Sequence, residues 1–355
     1  MTQYILRRIF QTIPTLFGIT IIAYFVMSLA PGGPVAALTF DPSISVRQRE
    51  AMATALGVND PIHVQYIRWL IGDAPIKVAG VELWRGRELP TFDRRGNETG
   101  THIGTRKGIL RGDFVNSIIS QRPVTDAVGV RLPATFELGS LALIVGLMLG
   151  IPIGVIAAVK QGGIFDQVTR VLAVLVSAIP VFWLGLILLL VFGSWLGWLP
   201  MGNRFPLNFS GDYTLGDRIK HLILPVFTLS SFGIATFSRF TRASVLDVLN
   251  QDYVRTARAK GLSNNQVWFK HALRNALIPV ATLLGPAIPG VIAGAVLTET
   301  IYSWPGMGRL VVDSVTQQDY PVIMAIVLLT AIVTIVGLIL SDVLYAVFDP
   351  RIRLS

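Results

Sequence analysis

Six apolar runs, at residues 9–30, 135–159, 171–195, 222–240, 277–297 and 322–340, restrict this chain more than any other feature. Each is long enough to cross about 30 Å of hydrocarbon as a helix, which takes roughly 20 residues. Lipid offers no partner to a bare backbone, so each crossing segment must satisfy its own amide and carbonyl groups. The reading is an all-α integral membrane protein with six transmembrane helices. Composition agrees: of 355 residues 52% are apolar and 14% are charged, too greasy for a soluble domain of this length and too charged in places to lie wholly in lipid.

Lysine and arginine in short loops report orientation. With the amino terminus in the cytosol, the inner side holds Arg7, Arg8, Lys160, Arg170, Arg239, Arg242, Arg255, Arg258, Lys260, Lys270, Arg274, Arg351 and Arg353. The short outer loops hold Arg204, Arg218, Lys220 and Arg309, so the bias is thirteen against four. Both termini are therefore expected inside, and the net charge of +9 is a topology signal. Long loops cross regardless of charge, so residues 31–133 are expected to form an extracytoplasmic insertion between the first two helices. Within it, residues 60–71 read as a short amphipathic helix and 48–56 as another, whereas 72–113 lack periodicity and read as a loop-rich or partly disordered insertion. Residues 1–30 read as an anchor helix rather than a cleaved signal, because about 22 apolar residues exceed the usual 7 to 15 residue signal core. Residues 134–355 complete the membrane domain, with a cytosolic loop at 241–274.

That loop carries the strongest local pattern, DYVRTARAKGLSNNQVWFKHALRNALIP. Val245, Leu246, Val248, Leu249, Tyr253, Val254 and Ala257 recur at three- and four-residue steps, which predicts one amphipathic helix over 241–260. Gly261 follows a basic last turn (Arg255, Arg258, Lys260), as expected of a left-handed residue that ends a helix. Ser263 and Gln266 have capping-box spacing for a second helix. It would carry Val267, Trp268 and Leu273 on a ground of Lys270, His271 and Arg274.

Features inside the spans are mechanical rather than chemical. Gly146, Gly150 and Gly154, and again Gly290 and Gly294, have the small-xxx-small spacing of closely packed helices. Pro14, Pro152, Pro180, Pro225, Pro279, Pro286 and Pro289 each remove a backbone donor that neighbours must replace. Glu137, Glu299 and Asp342 lie near span ends, not centres, which speaks against a proton relay. His63, His102, His221 and His271 have no ligand spacing, and the chain contains no cysteine and no phosphate-binding loop, so nucleotide chemistry must come from a partner.

A basic hairpin between spans, in a chain with no energy source, resembles the cytosolic loop of binding-protein-dependent ABC importer permeases. Arg255, Thr256 and Ala257 occupy the place of that family's Glu-Ala-Ala triplet, Gly261 its glycine, His271 its isoleucine, and Leu273 with Arg274 its final pair. The variant RTA, AKGL and HALRNALIP is similar to the dipeptide and oligopeptide branch, specifically its first permease subunit. YILRRI near the start, Ala30 to Pro34, the Arg131 to Thr135 entry into the second span, ETIYSWPGMGRL from Glu299, and the ending from Asp342 through Arg353 resemble it too.

The resemblance implies the type I ABC importer transmembrane fold in a bacterial or archaeal inner membrane. Its partners would be a second homologous permease, two ATPase subunits that hold ATP and Mg, and an extracytoplasmic solute-binding protein. No cofactor or metal is then expected on this chain, which would not itself be an enzyme. Ala257, Arg258, Lys260, Gly261, Ser263, Gln266, Val267, Trp268, Lys270 and His271 would couple to an ATPase, with Val267 and Trp268 as apolar anchors and Gly261 letting the two helices approach and turn. Pro180, Phe182, Trp183, Pro286 and Pro289 are candidates for the translocation path. Di- or oligopeptides are the expected cargo; nickel chelates and oligosaccharides are the alternative. A membrane-anchored DNA-binding regulator is the reading from a different class, disfavoured because a hairpin tethered at both ends beside the bilayer leaves no room for a duplex.

Overall fold

Pro180 sets the sharpest feature of the backbone. The residue before a proline is pushed out of the helical region, and Ile179 accordingly sits at φ −80°, ψ 126°. Helix α4 (Ile164–Ala178) ends there, α5 (Val181–Leu188) starts, and the two are bent by 101°. A π-helical segment, Leu189–Trp195, continues α5. The span expected at 171–195 is thus a broken pair rather than one rod. The computed structural model describes residues 2–29, 46–47, 50, 53–54, 57, 59–78, 81–93, 97–206, 213–264, 266–293 and 296–348. The short helix expected at 48–56 lies largely outside them.

The other helices are α1 (Thr2–Ser28), α2 (Ile62–Ile71), α3 (Val124–Val159), α6 (Leu215–Leu249), α7 (Asp252–Ala259), α8 (Leu273–Ala293), α9 (Val296–Ile301), α10 (Met307–Thr316) and α11 (Tyr320–Phe348). Among the described residues four stretches are long and apolar enough to cross a membrane: 10–28 of α1, α3, α6, and 320–340 of α11. The bent α4–α5 pair makes up to five. The span expected at 277–297 falls on α8, of which residues 275–285 form a shorter apolar stretch among the described residues.

The chain divides into two units. One comprises Gln11–Val130 and Val311–Ala331. Here Tyr24 of α1 meets Tyr66 of α2 edge-on, with ring centroids 5.6 Å apart, and Thr20 shares a 2.9 Å hydrogen bond with the Tyr66 hydroxyl. Residues 72–113 are not simply loop. They hold two antiparallel hairpins, β1 (Ile76–Val78) with β2 (Val81–Trp84) and β3 (Glu88–Phe92) with β4 (Glu98–Ile103), which corrects the loop-rich expectation for this segment and adds strands to an otherwise all-α reading. The strands escaped notice because β4 is exposed throughout and so has no buried face to impose alternation. Arginines supply the fixed points. Arg68, nearly sealed, donates from Nε to Asp73 at 2.8 Å and from Nη1 to Asp60 at 2.9 Å. Arg111 donates to the carbonyls of Ile71, Ala74, Pro75 and Lys107. Desolvation opposes ionisation of Asp60, but hydrogen bonds from Arg87 and Arg68 outweigh it and hold the carboxyl below its ordinary range.

The other unit comprises Met1–Phe10, Arg131–Leu310 and Ile332–Ser355. Its axis is α3 against α6. A Cβ on Gly150 would come within 2.8 Å of the Phe237 Cβ, and one on Gly154 within 2.5 Å of the Ser238 carbonyl oxygen, so these two glycines let the backbones touch. Gly146 is less demanding, its nearest neighbour lying 3.6 Å from a built Cβ. Gly290 meets nothing within 4 Å, and Gly294 lies outside the described residues. Thr214 opens α6 with a complete capping box to Asp217. Towards the Thr135 end of α3, Ala134 and Leu138 pack with a fully buried Trp304, whose Nε1 donates to the Ala134 carbonyl at 2.9 Å. Towards the Val159 end, Val155 and Ala158 pack with Val245 of α6 and Ala276 of α8.

Candidate functional site

The polar sequence Asn250-Gln251-Asp252 interrupts the amphipathic pattern expected to run unbroken over 241–260. Asn250 caps α6, Gln251 is extended at ψ 151°, and Asp252 lies in the first turn of α7, where a carboxylate suits the positive helix end. The pattern therefore covers two helices meeting at a corner. Val254 and Ala257 of α7 face Val267 of the π-helical segment Gln266–Ala272, and Val248, Leu249, Leu262 and Trp268 close the cluster. Val254 and Val267 are each fully buried. Burying each contributes about 1.5–3 kcal/mol, enough to order helices too short to persist alone.

Gly261 turns the chain between the two arms at φ +75°, its amide donating to the Arg258 carbonyl at 2.9 Å. A Cβ there would meet nothing within 4 Å. The glycine is thus required by backbone handedness, as the sequence predicts, and not by the close approach of the helices that the resemblance implied. The capping spacing at Ser263 is realised through one arm: the Ser263 amide donates to Gln266 Oε1 at 3.3 Å.

The ten residues assigned to coupling separate by burial. Ala257 and Val267 are sealed inside the hairpin, so Val267 holds it together and is not an anchor open to a partner; Trp268 is half-buried against the same core. Arg258, Lys260, Gly261, Ser263 and Gln266 are exposed and form the available face. The side chains of Lys270 and His271 lie outside the described residues, as do those of Pro286 and Pro289. Of the path candidates, Pro180, Phe182 and Trp183 cluster exposed at the α4–α5 bend.

Three polar centres in this unit had no advance assignment. Asp166, in the first turn of α4 and fully buried, accepts from Arg242 Nε at 2.5 Å and Nη2 at 2.8 Å. Glu137 accepts two bonds from Arg204 on one oxygen and two from Arg218 on the other, at 2.6–2.9 Å. Glu299, also fully buried, accepts from Thr135 Oγ1 at 2.7 Å and from the Arg309 amide at 3.0 Å. The one available signal was the Gly306 and Gly308 spacing in ETIYSWPGMGRL, since a Cβ on Gly306 would collide with the Glu299 carboxylate. His221 is engaged by the carbonyls of Gly202 and Asn203. Among the described residues no three His, Asp or Glu side chains come together as a metal site.

This helical membrane architecture, with a basic hairpin folded on its own small core, has close relatives. Residues 150–354 match the family described as binding-protein-dependent transport system inner membrane component, and residues 1–78 match the corresponding N-terminal family. The chain belongs to this family. The permease is 42% identical over 354 residues to the oligopeptide transport system permease protein AppB of Bacillus subtilis, covering 99% of this chain and 100% of that one. It is 36% identical over 372 residues to the dipeptide transport system permease protein DppB of Escherichia coli K12, covering 99% of each. The glutathione transport system permease protein GsiC of Salmonella typhi is 36% identical over 354 residues, again covering 99% of each. The permease is accordingly a membrane component and not an enzyme, and the DNA-binding reading of its hairpin has no place in such a family.

Proposed function

We propose that this permease forms half of the translocation pore of an ATP-driven peptide importer. A second homologous permease completes the pore, two ATPase subunits holding ATP and Mg sit beneath it, and a solute-binding protein delivers di- or oligopeptides from outside. The names of the relatives support peptides as cargo, over nickel chelates or oligosaccharides. The membrane domain is the type I importer fold with six crossings. Residues 1–30 are its anchor, 31–133 its extracytoplasmic insertion and 241–274 its cytosolic loop, with both termini cytosolic in a bacterial or archaeal inner membrane.

The observation that carries this reading is the hairpin itself. Its apolar residues are spent on an internal core while Arg258, Lys260, Ser263 and Gln266 face outward around a left-handed Gly261. Such an element is rigid enough to transmit a push and polar enough to sit in water until a partner arrives. ATP-driven approach of the two ATPases would carry the hairpins together and tilt helices already bent at Pro180. Arg258, Lys260 and Gln266 would make the polar contacts to the ATPase groove, with Lys270 and His271 on the same arm. Ser263 would fix the start of that arm. Pro180, Phe182, Trp183, Pro286 and Pro289 would line or shape the path.

Co-expression with the candidate ATPases and reconstitution in proteoliposomes tests the proposal. The expected result is uptake of a labelled tripeptide that depends on ATP and on the binding protein. Uptake by the purified permease alone would overturn it.

A further inference from the structure

The pair formed by Asp166 and Arg242 lies where three helices converge. Asp166 is fully buried, and besides its two bonds from Arg242 it accepts from the Gly162 amide at 2.9 Å, with Arg170 Nε 3.6 Å away. The turn of α6 that carries Arg242 is also the turn against which Gly154 of α3 packs: a Cβ there would fall 3.1 Å from the Arg242 amide nitrogen. Arg242 stands ten residues before Asp252, where the exposed hairpin begins, and α6 is unbroken between Arg242 and Leu249. Asp166 stands at the other end of α4 from the 101° bend.

A carboxylate removed from water and held by two parallel bonds from an arginine that is itself 20% exposed resists separation, because parting them leaves the Asp166 charge buried and uncompensated. A helix hinged at one end follows whatever grips its other end. On the proposed transport function, we infer that the Asp166–Arg242 pair is the clasp through which displacement of the cytosolic hairpin, carried by the end of α6, is delivered to α4 and so to the α4–α5 bend. Both are positioning residues; neither touches cargo or nucleotide. In the absence of the clasp, α6 slides past α4 and nucleotide is hydrolysed without turning the bend.

The test uses the complete complex. Because the chain has no cysteine, Val171→Cys on α4 and Asn250→Cys at the end of α6 accept a spin-label pair with no background sites on this chain, when it is labelled before assembly with its partners. The expected inter-label distance is narrow and unchanged between nucleotide-free and vanadate-trapped complex. It should broaden or shift on trapping in Asp166→Ala. A wild-type distance that itself changes by several ångströms on trapping overturns the clasp whether or not uptake is seen.

In proteoliposomes with a labelled tripeptide, Asp166→Ala and Arg242→Ala should assemble and hydrolyse ATP while uptake per ATP falls on the order of tenfold. Arg242→Lys, which keeps the charge but not the fork, should recover part of it. Unchanged uptake per ATP in Asp166→Ala, beside an active wild type, overturns the clasp alone. Absence of ATP-dependent uptake in the wild type overturns the transport reading, while the spin-label comparison still decides whether the helices move as one body.

Discussion

Thr135 on α3 donates its hydroxyl proton to Glu299 on α9 at 2.7 Å, joining residues 164 positions apart in the chain. The same hydroxyl accepts from the Met307 amide at 2.7 Å, so one side chain satisfies both the carboxylate and the turn that surrounds it. Glu299→Ala strands the buried Thr135 hydroxyl proton and the Arg309 and Gly308 amides at once. We expect it to destabilise the permease by about 3 kcal/mol, and Thr135→Val by about 1–3 kcal/mol. The two changes together should cost less than their sum, since both break one network. Thermal unfolding of the purified protein in detergent measures this, and strict additivity would refute the network.

Gly261 sits in open space with a left-handed backbone. Replacement by valine should cost about 1–2 kcal/mol of backbone strain locally, with no steric clash. Gly261→Val is expected to insert and assemble while uncoupling ATP hydrolysis from uptake, and Gly261→Asn, which tolerates this conformation, to retain more coupling. Wild-type substrate-stimulated ATPase activity with intact uptake in Gly261→Val would sink the role given to the turn.

Glu137 is clasped by Arg204 and Arg218, with the three side chains between 16% and 31% exposed. Partial exposure discounts the pair, so Glu137→Gln is expected to cost about 1–2 kcal/mol. The loss should appear as faster hydrogen exchange confined to residues 198–206 and the start of α6. Uniformly faster exchange throughout the chain would contradict this local role.

Asp60 gives the hairpin segment its pH dependence. Burial alone would raise its pKa, yet Arg87 and Arg68 hold it below the ordinary value. A depressed native pKa contributes stability above the unfolded pKa, about 3.9 for aspartate, and that stability is lost as pH falls through the lower native value. Limited proteolysis of residues 59–113 should therefore be constant from pH 7 to 5 and rise only below about pH 4. Asp60→Asn should be cleaved faster at neutral pH. A rise in wild-type cleavage already between pH 7 and 6 would point to another group.

The membrane character, most of the long helices, the turn at Gly261 and the close-packing glycines of α3 were legible in the sequence because each depends on local pattern: run length, backbone handedness, small residues at helical spacing. The break at Asn250-Gln251 was missed because the apolar stripe continues in phase across a corner. The 101° bend was visible only as a proline, since Pro180 dictates that Ile179 leaves the helix but not where the following segment goes. The hairpins of 76–103 were hidden because their strands bury so little.

By itself the amino-acid order determined that this chain belongs in lipid, where its helices could start, and that a basic hairpin would stand between two of them. Tertiary structure alone decided which charges are buried and with whom. Asp166 and Arg242, Glu299 and Thr135, and Glu137 with its two arginines lie 67 to 164 residues apart. Desolvation makes the pairings of the fully buried Asp166 and Glu299 compulsory once the helices pack, and that of the partly exposed Glu137 favourable. Nothing in the local sequence names the partner, because a charge's cost depends on the surroundings that only folding creates.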